Sequence, residues 1–179
     1  SNKYLGSTLL EMGKVQEAKK YTENALKIKS DYGSANNNLG IIFEILGDLD
    51  RSEMYLIKAL KCNFHSIDCA INLVDLLILR GKLKQSYILS HSLLKQKSIS
   101  VGQKISVFLR ITIIKLIIGD FNECFNSINQ TNTLINEGGL NSIKSSQNKR
   151  FIYAYSIFIT SIFPILKNFN ITSSLQKIP

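Results

Sequence analysis

The chain of 179 residues is 45% hydrophobic and 20% charged with no Trp, which supplies a continuous packed core and excludes general disorder. Its formal charge of +9 attracts anions, but the lysines are scattered rather than massed, so a solvated surface is expected rather than a polyanion-binding tract. The cysteines Cys62, Cys69 and Cys124 form no CxxC pair and are odd in number, and His65 and His91 have no partner at ligand spacing. Neither a disulfide framework nor a metal or other cofactor is expected, and the cysteines read as reduced packing residues.

The chain does not begin with Met, and Ser1-Asn2 reads as the scar of a cleaved purification tag. A piece of a longer protein is therefore expected, with Pro179 an equally arbitrary end. No signal peptide is visible, and a cytoplasmic setting is expected.

In chain order, Leu5, Leu9 and Leu10 precede Gly13, and Ala18, Tyr21, Ala25 and Ile28 follow it at steps of three and four. That spacing predicts two helices with a glycine turn between them. The pattern then recurs at a step of 34. Leu5, Leu39 and Leu73 are so spaced, as are Gly13, Gly47 and Gly81, then Gly6 and Gly40, Ala18, Ser52 and Ser86, Ala25 and Ala59, and Leu26, Leu60 and Leu94. The units are 1–32, 33–66 and 67–100. A fourth, 105–136, fits after four extra residues, Val101 to Lys104, with Phe108, Ile111, Thr112, Gly119 and Cys124 in register. Residues 137–147 read as a linker, 148–166 as a capping helix or degenerate fifth unit containing Phe151, Ala154 and Phe158, and 167–179 as a tail.

Gly13, Gly47, Gly81 and Gly119 suit the left-handed residue that ends a helix. Gly6 and Gly40 fall inside helices, where each costs about 1 kcal/mol relative to Ala. Something must offset that cost. The uncharged run 151–166 is shorter than the roughly 20 residues that span a bilayer, and the run 106–118 is broken by Arg110 and Lys115, so both read as buried helices.

A period of this length marks stacked repeats, and Asn38-Leu39-Gly40-Ile41-Ile42-Phe43, Gly47-Asp48-Leu49 and Lys58-Ala59-Leu60 resemble the tetratricopeptide-repeat family. Val74 departs from the family's small residue, and the family's Pro near each unit's end is replaced by Ser30, Phe64 and Ser98. The resemblance implies an all-α, right-handed superhelical solenoid of antiparallel helix pairs with a C-terminal capping helix, its inner surface lined by the first helices. It also implies that the second helix approaches Gly6 and Gly40 closely enough to offset their cost, with Ala18 or Ser52 expected opposite. It places Asn37, Asn38, Ile41, Glu44 and Ile45 of the second unit on that surface, with Ile71, Asn72, Asp75 and Leu79 of the third and Arg110, Ile113 and Ile117 of the fourth.

The implied function is a scaffold that binds a protein or extended peptide in that groove. A carboxylate clamp of the chaperone-binding kind is not expected, because only Lys3 and Asn38 match it and Asp68, an acceptor, stands where a cation is needed. Asn38 and Asn72 instead resemble the asparagine ladder of the repeat domain of protein O-GlcNAc transferases, in which amides grip a peptide backbone.

No nucleophile, base and orienting residue share a plausible spacing and no phosphate-binding loop is present, so no catalysis or small-molecule substrate is expected of these residues. The alternatives are the repeat region of a transferase whose catalytic domain lies elsewhere, and a nucleic-acid-binding array using Lys144, Lys149, Arg150 and Lys167. Neither nucleic acid nor membrane is the expected partner, and self-association through a repeat end stays open.

Overall fold

The computed structural model describes residues 5–62 and 66–137, and all regular structure among them is helical. The expected capping helix at 148–166 lies outside the described residues. The chain divides into two compact units between Leu93 and Leu94.

The first unit holds three helix pairs. These are α1 (Leu5–Glu11) with α2 (Val15–Ile28), α3 (Gly33–Ile45) with α4 (Leu49–Lys61), and α5 (Ile67–Leu79) with α6 (Leu83–Leu94), whose last residue sits at the division. The pairs turn alike. Gly13, Gly47 and Gly81 take φ of 74°, 79° and 70°, conformations that strain any residue with a Cβ. In the second pair Gly47 N–H donates to Glu44 O at 3.0 Å and Asp48 N–H to Phe43 O at 2.8 Å, the Schellman ending that satisfies the helix's last carbonyls. Asp48 then caps α4 by accepting from Arg51 N–H at 2.9 Å, and Arg51 also holds the Asp48 carboxyl below the usual carboxylate range.

Two cores tie the pairs together. Leu9 and Ala18 of the first pair are buried against Leu39, Ile42 and Phe43 of α3. Leu56 and Ala59 of α4 are buried against Cys69, Leu73, Leu76 and Leu77 of α5. The first pair thus shares its core with the second, and the second with the third, as stacked repeats require. An ion network adds to this: Arg80, at the end of α5, reaches Asp50 at 2.7 Å and Glu53 at 3.2 Å in α4, and Lys82 reaches Glu53 at 2.8 Å.

The glycine expectation needs one correction. A Cβ on Gly40 would stand 2.6 Å from both Cγ and Cδ2 of Leu56, and one on Gly6 would stand 2.6 Å from Thr22 Oγ1. The residues opposite are therefore Thr22 and Leu56, one helical turn beyond Ala18 and Ser52, because the close approach of the axes falls a turn later than the family pattern suggests.

In the second unit α7 (Val101–Ile117) pairs with α8 (Phe121–Asn136) through Gly119, which has φ 77°. The four extra residues Val101 to Lys104 form the first turn of α7, which runs 17 residues where α3 and α5 run 13. Ser100 and Gln103 close a capping box ahead of it, so the insertion starts the fourth pair at 101 rather than 105. Ile105, Leu109, Cys124 and Ile128 form this unit's core.

Burial, and secondarily Asp68, pushes the Cys69 thiol up to about 12. Burial and Asp120 push Cys124 up to about 11. Both stay protonated at neutral pH and are poor nucleophiles, whereas Cys62 is only half-buried. A thiol-reactive reagent added to the folded protein is therefore expected to label Cys62 well before the other two, as mass spectrometry of the early time points would show.

Candidate binding face on the first helices

Residues 37, 38, 41, 44 and 45 recur at three- and four-residue steps and so share one side of α3; the same register, 34 residues on, gives 71, 72, 75, 78 and 79 on α5. The two helices touch, as do α1 and α3. On this side Ile45 and Leu79 are exposed, at 57% and 59%, too large a fraction for core residues. Asn37, Asn38, Ile41, Glu44, Asn72 and Asp75 are half-buried. Ile71 is different: at 5% exposure it belongs to the packing, so of the nine expected groove residues it alone is withdrawn from a partner's reach.

The asparagines connect diagonally. Asn72 Nδ2 donates to Asn37 Oδ1 at 3.1 Å, joining α5 to α3 across the repeat boundary. Asn38 lies against α1, its Nδ2 3.6 Å from where a Cβ on Gly6 would stand. Asn36, fully buried, faces the other way and ties down the preceding turn by donating to Tyr32 O at 3.0 Å and Ser30 O at 3.3 Å. The Asn72 amide therefore has one internal bond and keeps acceptor capacity, since a primary amide offers two donors and an acceptor oxygen.

The charge carried by these first helices is opposite in sign to that of the whole chain. The helical sequences of α1, α3 and α5 contain Glu11, Glu44, Asp68 and Asp75 but no Lys, Arg or His. The lysines and arginines within this unit's helices all stand on the second helices, among them Lys19, Lys20, Arg51, Lys58 and Lys84. Glu44 is held above the usual carboxylate range first by burial and then by Asp75, its neighbour across the repeat boundary. The signal was present in the sequence, but it becomes visible only when charges are assigned helix by helix instead of along the chain.

In the second unit, Arg110 does not line an exposed wall. It is buried, with Nη1 donating to Ser106 O at 2.8 Å one turn back on its own helix. Ile113 is half-buried and Ile117 exposed. Among the described residues no group of His, Cys, Asp and Glu is arranged to hold a metal ion, and no helix is long and apolar enough to cross a membrane. Lys3 and the basic residues from Lys144 onward lie outside the described residues.

The sequence profile described as "Tetratricopeptide repeat" matches residues 5–32 and 33–64. No curated protein sequence matches the chain. Among solved structures, PilF of Pseudomonas aeruginosa superposes with a TM-score of 0.68 at 16% identity, over 74% of this chain and 59% of that one. PilW, described as a widely conserved type IV pilus biogenesis factor, gives 0.65 at 17% identity, over 89% and 75%. YrrB, described as a TPR protein with an unusual peptide-binding site, gives 0.59 at 14% identity, over 87% and 76%. The chain spans only 25% of the matched chain from the Cut9–Hcn1 hetero-tetramer. Identities this low establish the fold alone. Repeats of this kind are in general non-catalytic scaffolds for protein interaction. Residues 5–32 and 33–64 are thus tetratricopeptide repeats by their sequence profile, and the helix-pair fold is the one shared with solved structures of such repeats.

Proposed function

We propose that this protein is a non-catalytic scaffold whose first unit binds an extended protein segment along the α1–α3–α5 face. The observation that carries this reading is the recurrence, one repeat apart, of an amide and an exposed aliphatic side chain, Asn38 with Ile45 and Asn72 with Leu79. An amide donates and accepts, so it grips a peptide backbone without reading sequence, and the exposed Ile and Leu offer apolar contact to alternate side chains. The description of YrrB as peptide-binding supports the reading by analogy of fold.

The test is the double variant Asn38→Ala with Asn72→Ala. Each lost amide contact weakens binding by about 0.5 to 1.5 kcal/mol, so recovery of bound partners from a lysate is expected to fall by about a factor of ten. Asn72→Ala also removes the bond to Asn37, so helicity and melting temperature are measured alongside. Equal recovery of the same partners by parent and double variant would remove the reading.

The formal charge of +9 favours a second reading, binding to nucleic acid. Against it, Arg51, Arg80, Lys82 and Lys115 are each ion-paired with an acid of the chain. Filter binding at two salt concentrations separates the readings, since neutralised phosphates give a steep loss with salt and backbone amide contacts a shallow one.

A further inference from the structure

We propose that the segment held by this face carries a lysine or arginine flanked by aliphatic residues, with the cation seated on Glu44 and the flanking side chains on Ile45 and Leu79; this rests on the peptide-binding reading above. A chain of net charge +9 is expected to select an acidic partner, and the first-helix face is where that expectation reverses. Its helices carry four acids and no Lys, Arg or His, while the basic residues of the unit's helices stand on the opposite members of the pairs. The face is thereby complementary to a cation.

Glu44 is the residue best placed to receive that cation. It is half-buried, and among the described residues no cation pairs with it. Holding its charge is unfavourable for the free protein, because burial and the Asp75 charge both oppose ionisation. A bound ammonium or guanidinium would relieve both effects at once and would form a charge-assisted hydrogen bond in a partly desolvated place. The side chain of Ile45 stands beside Glu44 on α3, and Leu79 holds the same register position on α5; both are more than half exposed. The site therefore offers a carboxylate bordered by apolar surface, which suits the long aliphatic stem of Lys or Arg as well as its head.

The test uses a phage-displayed library of random decapeptides, panned on the full chain, on Glu44→Gln, on Glu44→Lys and on the Asn38→Ala/Asn72→Ala double variant. The parent is expected to select peptides with Lys or Arg next to Ile, Leu or Val. The same peptides made synthetically should bind Glu44→Gln about tenfold to a hundredfold more weakly, the loss of one charge-assisted contact, and Glu44→Lys should turn selection toward acidic residues. Glu44→Gln is expected to melt no lower than the parent, since it removes a charge the fold opposes, so lost binding is not lost folding. Selected peptides without basic enrichment that still require the asparagines would overturn the cation proposal and leave the peptide-binding face standing. Basic peptides that bind Glu44→Gln as well as the parent would overturn it too. Selected peptides insensitive to both Glu44 and the asparagines would overturn the proposal and the face together.

Discussion

Ala59→Glu is expected to destabilise the first unit by at least about 3 kcal/mol, since a carboxylate placed in an apolar interior without a partner must be buried charged or take up a proton at a cost. Ala59 has no exposed surface and sits in the core shared by α4 and α5, with Leu56, Cys69, Leu73, Leu76 and Leu77 around it. The acid would fall where two successive repeats meet, so separation of the pairs is the cheapest response, and loss of helicity should spread through α4 and α5. Lys58→Glu, one residue away and exposed, is the control. It should cost no more than about 1 kcal/mol, mainly through the helix dipole. Thermal melts followed by circular dichroism compare the two, and an Ala59→Glu protein that melts with the parent would show that this helix is rotated from the position described.

The second large effect is a reversal of sign at Gly40. In an unobstructed helix, replacing Gly by Ala stabilises by about 1 kcal/mol. Here the new methyl would stand 2.6 Å from two carbons of Leu56, a side chain with no exposed surface. Gly40→Ala is therefore expected to destabilise by about 1 to 3 kcal/mol, as overpacking does, and Gly40→Val by more. The third pair carries Val74 and Ser90 at the positions of Gly40 and Leu56, both fully buried. Bulk on the first helix is matched there by a small residue on the second, the reverse of the arrangement in the second pair. Transplanting that solution as Gly40→Val with Leu56→Ser should give a protein more stable than Gly40→Val alone, although Leu56→Ser by itself removes core contacts. A coupling energy of about 1 to 3 kcal/mol between the two sites is expected from the cycle of four proteins, because the side chains share one space. Strictly additive effects would mean that the two residues do not meet.

The helix pairs, their glycine turns and their period were legible in the sequence, because they depend on local chemistry. A left-handed turn selects glycine at 13, 47, 81 and 119 whatever surrounds it, and apolar residues at three- and four-residue steps define a buried stripe before any partner is known. Even the four-residue insertion declared itself through the shifted pattern. Its meaning did not: only the capping box at Ser100 and Gln103 shows it to be an added first turn of α7.

What crosses from one helix to another was decided by the tertiary structure. That Leu56 rather than Ser52 faces Gly40, that Val74 is accommodated in its fully buried position, that Ile71 is withdrawn into the packing and that Asn72 pairs with Asn37 instead of standing as a simple rung are all such cases. So is the opposition of the Asp75 charge to ionisation of Glu44 across a repeat boundary, from residues three places apart in the repeat register. A period fixes which residues are equivalent and which side of a helix they share. The residue met on the neighbouring helix depends on the crossing angle and axial offset of the two cylinders, and a shift of one turn, about 5.4 Å, exchanges one opposing side chain for the next. That offset is settled by the whole set of packed side chains together, which no single repeat contains.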